Sequence, residues 1–319
     1  MLRTALTDRF GLGAPIVGAP MAYVGGGGLA AAVTSAGGLG MVGVGSATPL
    51  EVVAEQTRLA ARAGGPFGVG LMAWALAERP ELFDAALEFG PSLVSVSFGD
   101  YRPWVERLAE RSIASATQVG DVDEARAAEA SGVDLIVARG SEAGGHGRDR
   151  VATLPLLAAV LDAVETPVLA AGGVATGRGL AAALAAGAAG AWVGTALLAS
   201  PEAALAPGAL ERLLDVGETD TVVTSVFDLA QGIAWPEGYP GRALANDFSR
   251  RWTGHEDELA ASPAAREELA RARREGDFDV ASLYAGQAVG ALTRVRPAAD
   301  VVTEMASGAE RLLAAWAPR

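Results

Sequence analysis

Leu135-Ile136-Val137-Ala138, then Val168-Leu169-Ala170-Ala171-Gly172-Gly173-Val174, then Ala191-Trp192-Val193-Gly194-Thr195 are the apolar runs whose reading decides the fold. Each is short and continuous instead of alternating, as a strand buried on both faces of a parallel sheet must be. Stretches rich in Ala and Leu, 154–163 and 180–186, separate them and read as helices. The second and third runs end in glycine, which permits a tight turn from strand to helix.

Working outward, the same rhythm predicts strands at 14–20, 39–44, 67–72, 93–96 and 113–116. It predicts helices at 29–35, 49–63, 80–89, 104–111 and 121–130, with Thr48 as the N-cap of the second. Eight β units alternating with helices over about 195 residues are the count of a closed parallel (β/α)8 TIM barrel. A doubly wound open sheet is the competitor. It needs G-x-G-x-x-G after its first strand, whereas Gly25 to Gly28 follow Tyr23 without that spacing.

After Ser200 the rhythm breaks. Residues 201–295 are richer in charge and aromatics, punctuated by Pro201, Pro207, Pro236, Pro240 and Pro263, and read as a smaller, mostly helical lid. An amphipathic helix at 298–316, with Ala299, Val302, Met305 and Ala306 on one face, returns to the barrel. The expected division is residues 1–200 and 296–319 as barrel and 201–295 as lid.

Composition removes whole chemistries. The 319 residues contain no Cys and no Lys, and only two histidines, His146 and His255. There is therefore no thiol nucleophile, cysteinyl metal site, Schiff-base amine or Walker lysine. No metal site is expected. A net charge of −13 disfavours nucleic-acid backbones. No apolar run reaches the roughly 20 residues of a membrane span, and Met1 to Phe10 lack an apolar leader. A cytoplasmic protein acting on a small molecule, without nucleic acid or membrane, is expected.

In a barrel the chemistry lies at the C-terminal strand ends. Gly172-Gly173 and Gly194-Thr195 follow the last two strands, where free N–H groups at helix starts hold phosphate; tight turns without a ligand are the plainer alternative. After the sixth strand, Arg139 to Gly147 carry His146 on a glycine-rich loop, a candidate acid/base. Glu142 is either its carboxylate partner or a solvated loop residue. His255, in Trp252-Thr253-Gly254-His255-Glu256, lacks the second His of a zinc helix and reads as structural or exposed. Pro20-Met21 after the first strand suits a flat ring or the core. Trp235, Tyr239, Trp252 and Tyr284 either wall a pocket or pack the lid.

Pro15 to Met21, Ala36-Gly37-Gly38-Leu39-Gly40, Glu142-Ala143-Gly144-Gly145-His146, Ala171-Gly172-Gly173, Gly194-Thr195 and Ala285-Gly286-Gln287-Ala288-Val289-Gly290 occur in an order that resembles the nitronate monooxygenase family, formerly 2-nitropropane dioxygenases. The resemblance runs from about residue 10 to 315, and Glu-Ala-Gly-Gly-His is its most specific piece. It implies an FMN-dependent barrel in which Ala19, Pro20 and Met21 line the flavin ring. Gln118, Gly144 and Gly145 would lie near the flavin, Gly172, Gly173, Trp192, Val193, Gly194 and Thr195 would hold the phosphate region, and His146 would be the base. Two positions depart. Gly70 stands where the family usually has Asn, a hydrogen bond worth about 0.5–1.5 kcal/mol. Arg139 stands where it often has Gln, and either faces reduced flavin or points away.

The resemblance implies oxidation of an alkyl nitronate by O2 to a carbonyl compound and nitrite. FMN barrels that depend on a catalytic Cys, iron–sulfur cysteines or a flavin-side Lys cannot work unchanged with this composition. The alternative on the same barrel is an NAD(P)H-dependent enoyl-thioester or quinone reductase. A flavin-binding protein without turnover is a third reading, with Gly70 and Arg139 for it and His146 against it.

Overall fold

The computed structural model describes residues 2–316. Its strands in chain order are β1 (Ile16–Gly18), β2 (Leu39–Gly43), β3 (Phe67–Met72), β4 (Leu93–Ser97), β5 (Ala114–Val119), β6 (Leu135–Arg139), the short β7 (Gly145–His146), β8 (Val168–Ala171) and β9 (Gly190–Val193). All but β7 close into a parallel barrel of eight strands in sequence order, and β9 pairs with β1 through Val17 and Trp192. This is the (β/α)8 class read from the sequence.

The helices are α1 (Ala5–Phe10), α2 (Gly27–Ser35), α3 (Leu50–Ala61), α4 (Ala73–Glu78), α5 (Glu81–Leu87), α6 (Arg102–Ala109), α7 (Val122–Ala130), α8 (Thr153–Leu161) and α9 (Gly177–Ala185). Thr48 does not cap α3. Pro49 does, in extended conformation, and Thr48 Oγ1 accepts the Gly45 N–H at 3.0 Å. A residue before proline is pushed out of the helical region, so the helix starts later than read. α4 has no counterpart in the sequence reading.

Barrel strands alternate their side chains in and out. Val17, Leu39, Met41, Leu93, Leu135, Val137, Leu169 and Trp192 meet inside, and Leu6 of α1 fills the lower end. Ile16, Ala191 and Val193 face outward against the helices. Arg9 of α1 reaches Asp134 at 2.6 Å. Asp134 in turn accepts Ser115 N and Oγ, which ties the bottom together.

The segment expected as a lid, residues 201–295, contains α10 (Ala209–Leu214), β10 (Thr221–Thr224), α11 (Val226–Gln231), β11 (Gly241–Leu244), α12 (Asp247–Trp252), α13 (Glu256–Ala260) and α14 (Pro263–Glu275). Its own core is built on Val226, Phe227, Phe248, Leu259 and Leu269. Burying one such side chain is worth about 1.5–3 kcal/mol. The lid is not helical alone. β10 and β11 are antiparallel, and β11 pairs with β7 in the register Gly241 to His146 and Arg242 to Gly145.

α15 (Ala298–Trp316) then returns to the barrel and buries Ala298, Val301, Val302, Met305 and Ala309 against it. Only Val302 and Met305 of the expected stripe belong to this fully buried set. Its contact with α9 is glycine on glycine: a Cβ at Gly177 would lie 2.8 Å from Gly308 Cα. The expected barrel segments begin at residue 1 and end at 319; residues 1 and 317–319 lie outside those described. Among the described residues no helix is long and apolar enough to cross a membrane.

The closest seat of helix on strand is at Gly40, where a Cβ would overlap the Ala30 carbonyl of α2. The atoms it would meet are all backbone of Ala30, so they do not yield cheaply. Gly40→Ala is expected to destabilise the protein by about 1–3 kcal/mol. A lowered urea midpoint at unchanged m would show it; an unchanged midpoint would mean that α2 moves freely on β2.

Candidate active site

The loop after β6 folds around Arg139. Its Nη2 donates to the carbonyls of Ala143 (3.0 Å), Gly144 (3.2 Å) and Gly145 (2.8 Å), and Nη1 to Arg148 O (3.4 Å). Burial pushes the guanidinium down to about 10, with Arg242 adding to the shift. The group stays protonated at neutral pH. A Cβ at Gly147 would overlap it, so the glycine makes room for the arginine. Glu142 proves to be half-buried and is not the histidine's partner. Its carboxylate accepts Thr153 N and Oγ1, each at 2.8 Å. It therefore serves the first turn of α8, whose N-cap Ala152 offers no side chain.

The loop delivers His146 to the lid. His146 Nε2 lies 2.9 Å from Asp228 Oδ2, with side chains only 10% and 7% exposed. The other carboxylate oxygen, Oδ1, accepts the Tyr284 hydroxyl at 3.2 Å. Burial, then the charge of Asp228, holds the Tyr284 phenol well above its ordinary value, so it remains a donor. Trp235 stacks flat on the imidazole, with centroids 3.6 Å apart and planes 7° apart.

Trp235 belongs to an aromatic wall with Trp74 and Phe98, and Phe98 also meets Tyr239. Phe98 follows β4 in the left-handed region, at φ 66°, a conformation that costs a non-glycine residue of order 1–3 kcal/mol. Trp74 Nε1 is buried and meets no acceptor among the described residues. Trp252 instead packs on Phe248 in the lid. Two of the four aromatics singled out in the sequence, Trp235 and Tyr284, thus meet His146, and Tyr239 joins the wall through Phe98.

The glycine turns lie next to this loop. Gly172 and Gly173 have φ of 108° and 70°. A Cβ at Gly172 would stand 3.2 Å from Ala143 N, and one at Gly194 would stand 3.5 Å from Ala19 Cβ and 3.6 Å from Met21 Sδ. The backbone N–H groups of Gly173, Gly194 and Thr195 meet no acceptor among the described residues. Unpaired donors beside small side chains are what a phosphate needs. Thr195 Oγ1 accepts Gly286 N at 2.9 Å, and Gln287 N donates to Glu142 O at 3.0 Å. The Ala285-Gly286-Gln287 string therefore joins the turn after β9 to the histidine loop. A Cβ at Gly144 would touch Gly286 N at 2.5 Å, so the two strings meet backbone to backbone.

The other residues singled out fall differently. A Cβ at Gly70 would overlap Pro20 Cγ, so Pro20 fills the space of a side chain there. Gln118 lies on β5, its backbone N–H on Ser97 Oγ at 3.0 Å. The Trp192 side chain is inside the barrel; Val193 faces outward and offers its carbonyl to Ala19 N. His255 is exposed and pairs with Glu258. Among the described residues no cluster is suited to a metal. An open cleft of about 590 Å³ lies between α10 and the turn at Gly276–Asp279. It is edged by acidic groups and contains none of the residues above, so the barrel mouth remains the candidate site.

Residues 3–308 match the family model described as nitronate monooxygenase. The chain is 35% identical to nitronate monooxygenase npaC of Metarhizium robertsii, covering 93% of this chain and 91% of the relative. It is 34% identical to a 5-hydroxy-7a-methyl-1-oxo-octahydro-1H-indene-4-carboxyl-CoA dehydrogenase of Mycobacterium tuberculosis, over 87% of this chain and 74% of the relative. Among solved structures, FabK of Thermotoga maritima superposes with a TM-score of 0.86 at 31% identity, covering 99% and 98% of the two chains. A nitroalkane oxidase of Streptomyces ansochromogenes gives 0.82 at 31% identity, covering 98% and 100%.

Replacing Arg139 by Met keeps length and removes every donor. The carbonyls of Ala143, Gly144 and Gly145 would then be left without their buried partner. We expect a loss of about 1–3 kcal/mol in stability and faster amide exchange across 143–147. Unchanged exchange there would show that the loop holds its shape without the guanidinium.

Proposed function

This chain belongs to the nitronate monooxygenase family, and from that premise we propose that it binds FMN and oxidises alkyl nitronates with O2 to a carbonyl compound and nitrite. It is an oxidoreductase by family. The observation that carries the finer reading is a histidine held against a carboxylate, one loop away from unpaired backbone donors. FMN, when bound, supplies the electron acceptor between nitronate and O2. The N–H groups of Gly173, Gly194 and Thr195, with Gly172, would hold its phosphate. Ala19, Pro20 and Met21 would face the ring, with Gly70, Gln118, Arg139, Gly144, Gly145, Trp192 and Val193 as the surrounding cofactor positions. Arg139 would act there through the loop it shapes.

In this reading the barrel binds the cofactor and the lid binds the substrate. His146 takes the α-proton of a neutral nitroalkane, or orients the oxygens of a nitronate already formed. Trp235 and Phe98 shield the imidazole from bulk water, and Trp74 Nε1–H is the donor open to a nitro oxygen. The likeness to FabK favours a second reading, reduction of an enoyl thioester or quinone with NAD(P)H on the same barrel. His146 would then give a proton to the substrate.

Anaerobic reduction of the bound flavin separates the two. Bleaching by an alkyl nitronate, with nitrite formed when O2 is admitted, is the expected outcome. Bleaching by NADH or NADPH alone would establish the reductase reading. His146→Asn is expected to slow turnover of a neutral nitroalkane by roughly 10²–10⁴-fold; unchanged nitrite release would remove His146 from the proton step.

A further inference from the structure

We propose that Asp228 is a positioning residue: it holds His146 as the Nε2–H tautomer, so that Nδ1 is the nitrogen that exchanges a proton with the substrate. The inference rests on His146 being the proton-handling group, and it adds which atom of the ring does the work and what selects it.

The argument follows from donors and acceptors. A carboxylate oxygen only accepts. At 2.9 Å from Asp228 Oδ2, Nε2 of the neutral imidazole must therefore carry the hydrogen. The lone pair is left on Nδ1, which makes no hydrogen bond to the protein among the described residues. Turning the ring over would put Cε1 where Nε2 lies and Cδ2 where Nδ1 lies, which gives up the bond to Asp228, and two contacts also oppose it. Trp235 covers one face at 3.6 Å. The Nε2 edge is closed by β11, where a Cβ at Gly241 would stand 3.1 Å from Nε2 and 3.3 Å from Cε1. Asp228 is itself oriented, because the Tyr284 hydroxyl donates to Oδ1 and leaves Oδ2 to the histidine.

This arrangement predicts an inversion. In Asp228→Asn, the Tyr284 hydrogen still needs an acceptor in a buried place. The amide would therefore keep its oxygen toward Tyr284 and turn its NH2 toward Nε2. That NH2 donates, so Nε2 would have to become the acceptor and the hydrogen would move to Nδ1. A side chain of the same size and shape would thus cancel the base by changing its tautomer.

The test is made on the flavin-bound enzyme with ¹⁵N-labelled histidine. Only two histidines contribute, and His255→Gln, at an exposed position, removes the second signal. Long-range ¹H–¹⁵N spectra then report which nitrogen of His146 is protonated. We expect Nε2–H in the parent and Nδ1–H in Asp228→Asn. Turnover of a neutral nitroalkane should fall by roughly 10²–10⁴-fold in kcat, with KM within about threefold. Tyr284→Phe should keep the parent tautomer. Added to Asp228→Asn, it frees the amide to rotate and should restore part of both the Nε2–H signal and kcat. Should the Asn variant fail to fold, Asp228→Glu, which keeps an acceptor, should retain Nε2–H. Nδ1–H in the parent, an unchanged tautomer in Asp228→Asn, or parent-like kcat with an inverted tautomer would each overturn the proposal. If His146→Asn turned over normally, the proton reading of His146 would fall, while the inversion would still show that Asp228 sets the tautomer.

Discussion

A single buried cation shapes the loop on which this site depends. Arg139 ends a barrel strand, and its guanidinium gathers the carbonyls of three consecutive residues, Ala143 to Gly145. A loop with this many glycines has no preferred course of its own. The arginine gives it one. The next residue, His146, then runs as a strand alongside Gly241. A charge buried without a carboxylate is normally costly. Several carbonyl dipoles offset part of that cost here, and the charges of Asp149 and Glu142 offset more, while burial and then Arg242 still push the guanidinium down to about 10.

The site is shared between barrel and lid. The imidazole comes from the loop after β6, its carboxylate from α11 and its stacking partner from the segment before β11. Gly286 and Gln287 then fasten the far end of the lid to Thr195 and Glu142. Lid and barrel are therefore bonded through main chain at two separate places. At the first place the Arg242–Asp149 ion pair, 3.6 Å apart, adds to the main-chain bonds, whereas the bonds of Gly286 and Gln287 carry no charge for salt to screen.

The barrel was legible because its strands are buried on both faces and are punctuated by glycine turns. Such a pattern has few other uses, and the strand positions agree with the structure closely. Helix starts were less legible: Pro49 displaced the cap from Thr48 through a local steric effect that apolar periodicity does not carry. The lid sheet was missed because β10 and β11 are four residues each, and one of them contains Gly241 and Arg242. His146 stood out by rarity and by its loop. Asp228 did not, since one carboxylate among 38 acidic residues has no local signature. Only its burial and its distance from Nε2 single it out. Glu142, within the histidine loop itself, was the more visible carboxylate and proved to serve the start of α8.

The contact of Gly177 with Gly308 has a consequence in time. The helix that carries Gly308 follows the whole lid in the chain, while the helix it covers precedes the lid. A ribosome releases the chain N-terminus first, so all eight barrel strands emerge before the segment that seals α2 and α9. Asp228 and Tyr284 also emerge after the last barrel strand. During synthesis the ring of strands therefore precedes its own outer wall, and a reactive histidine is assembled only when almost the entire chain has left the tunnel.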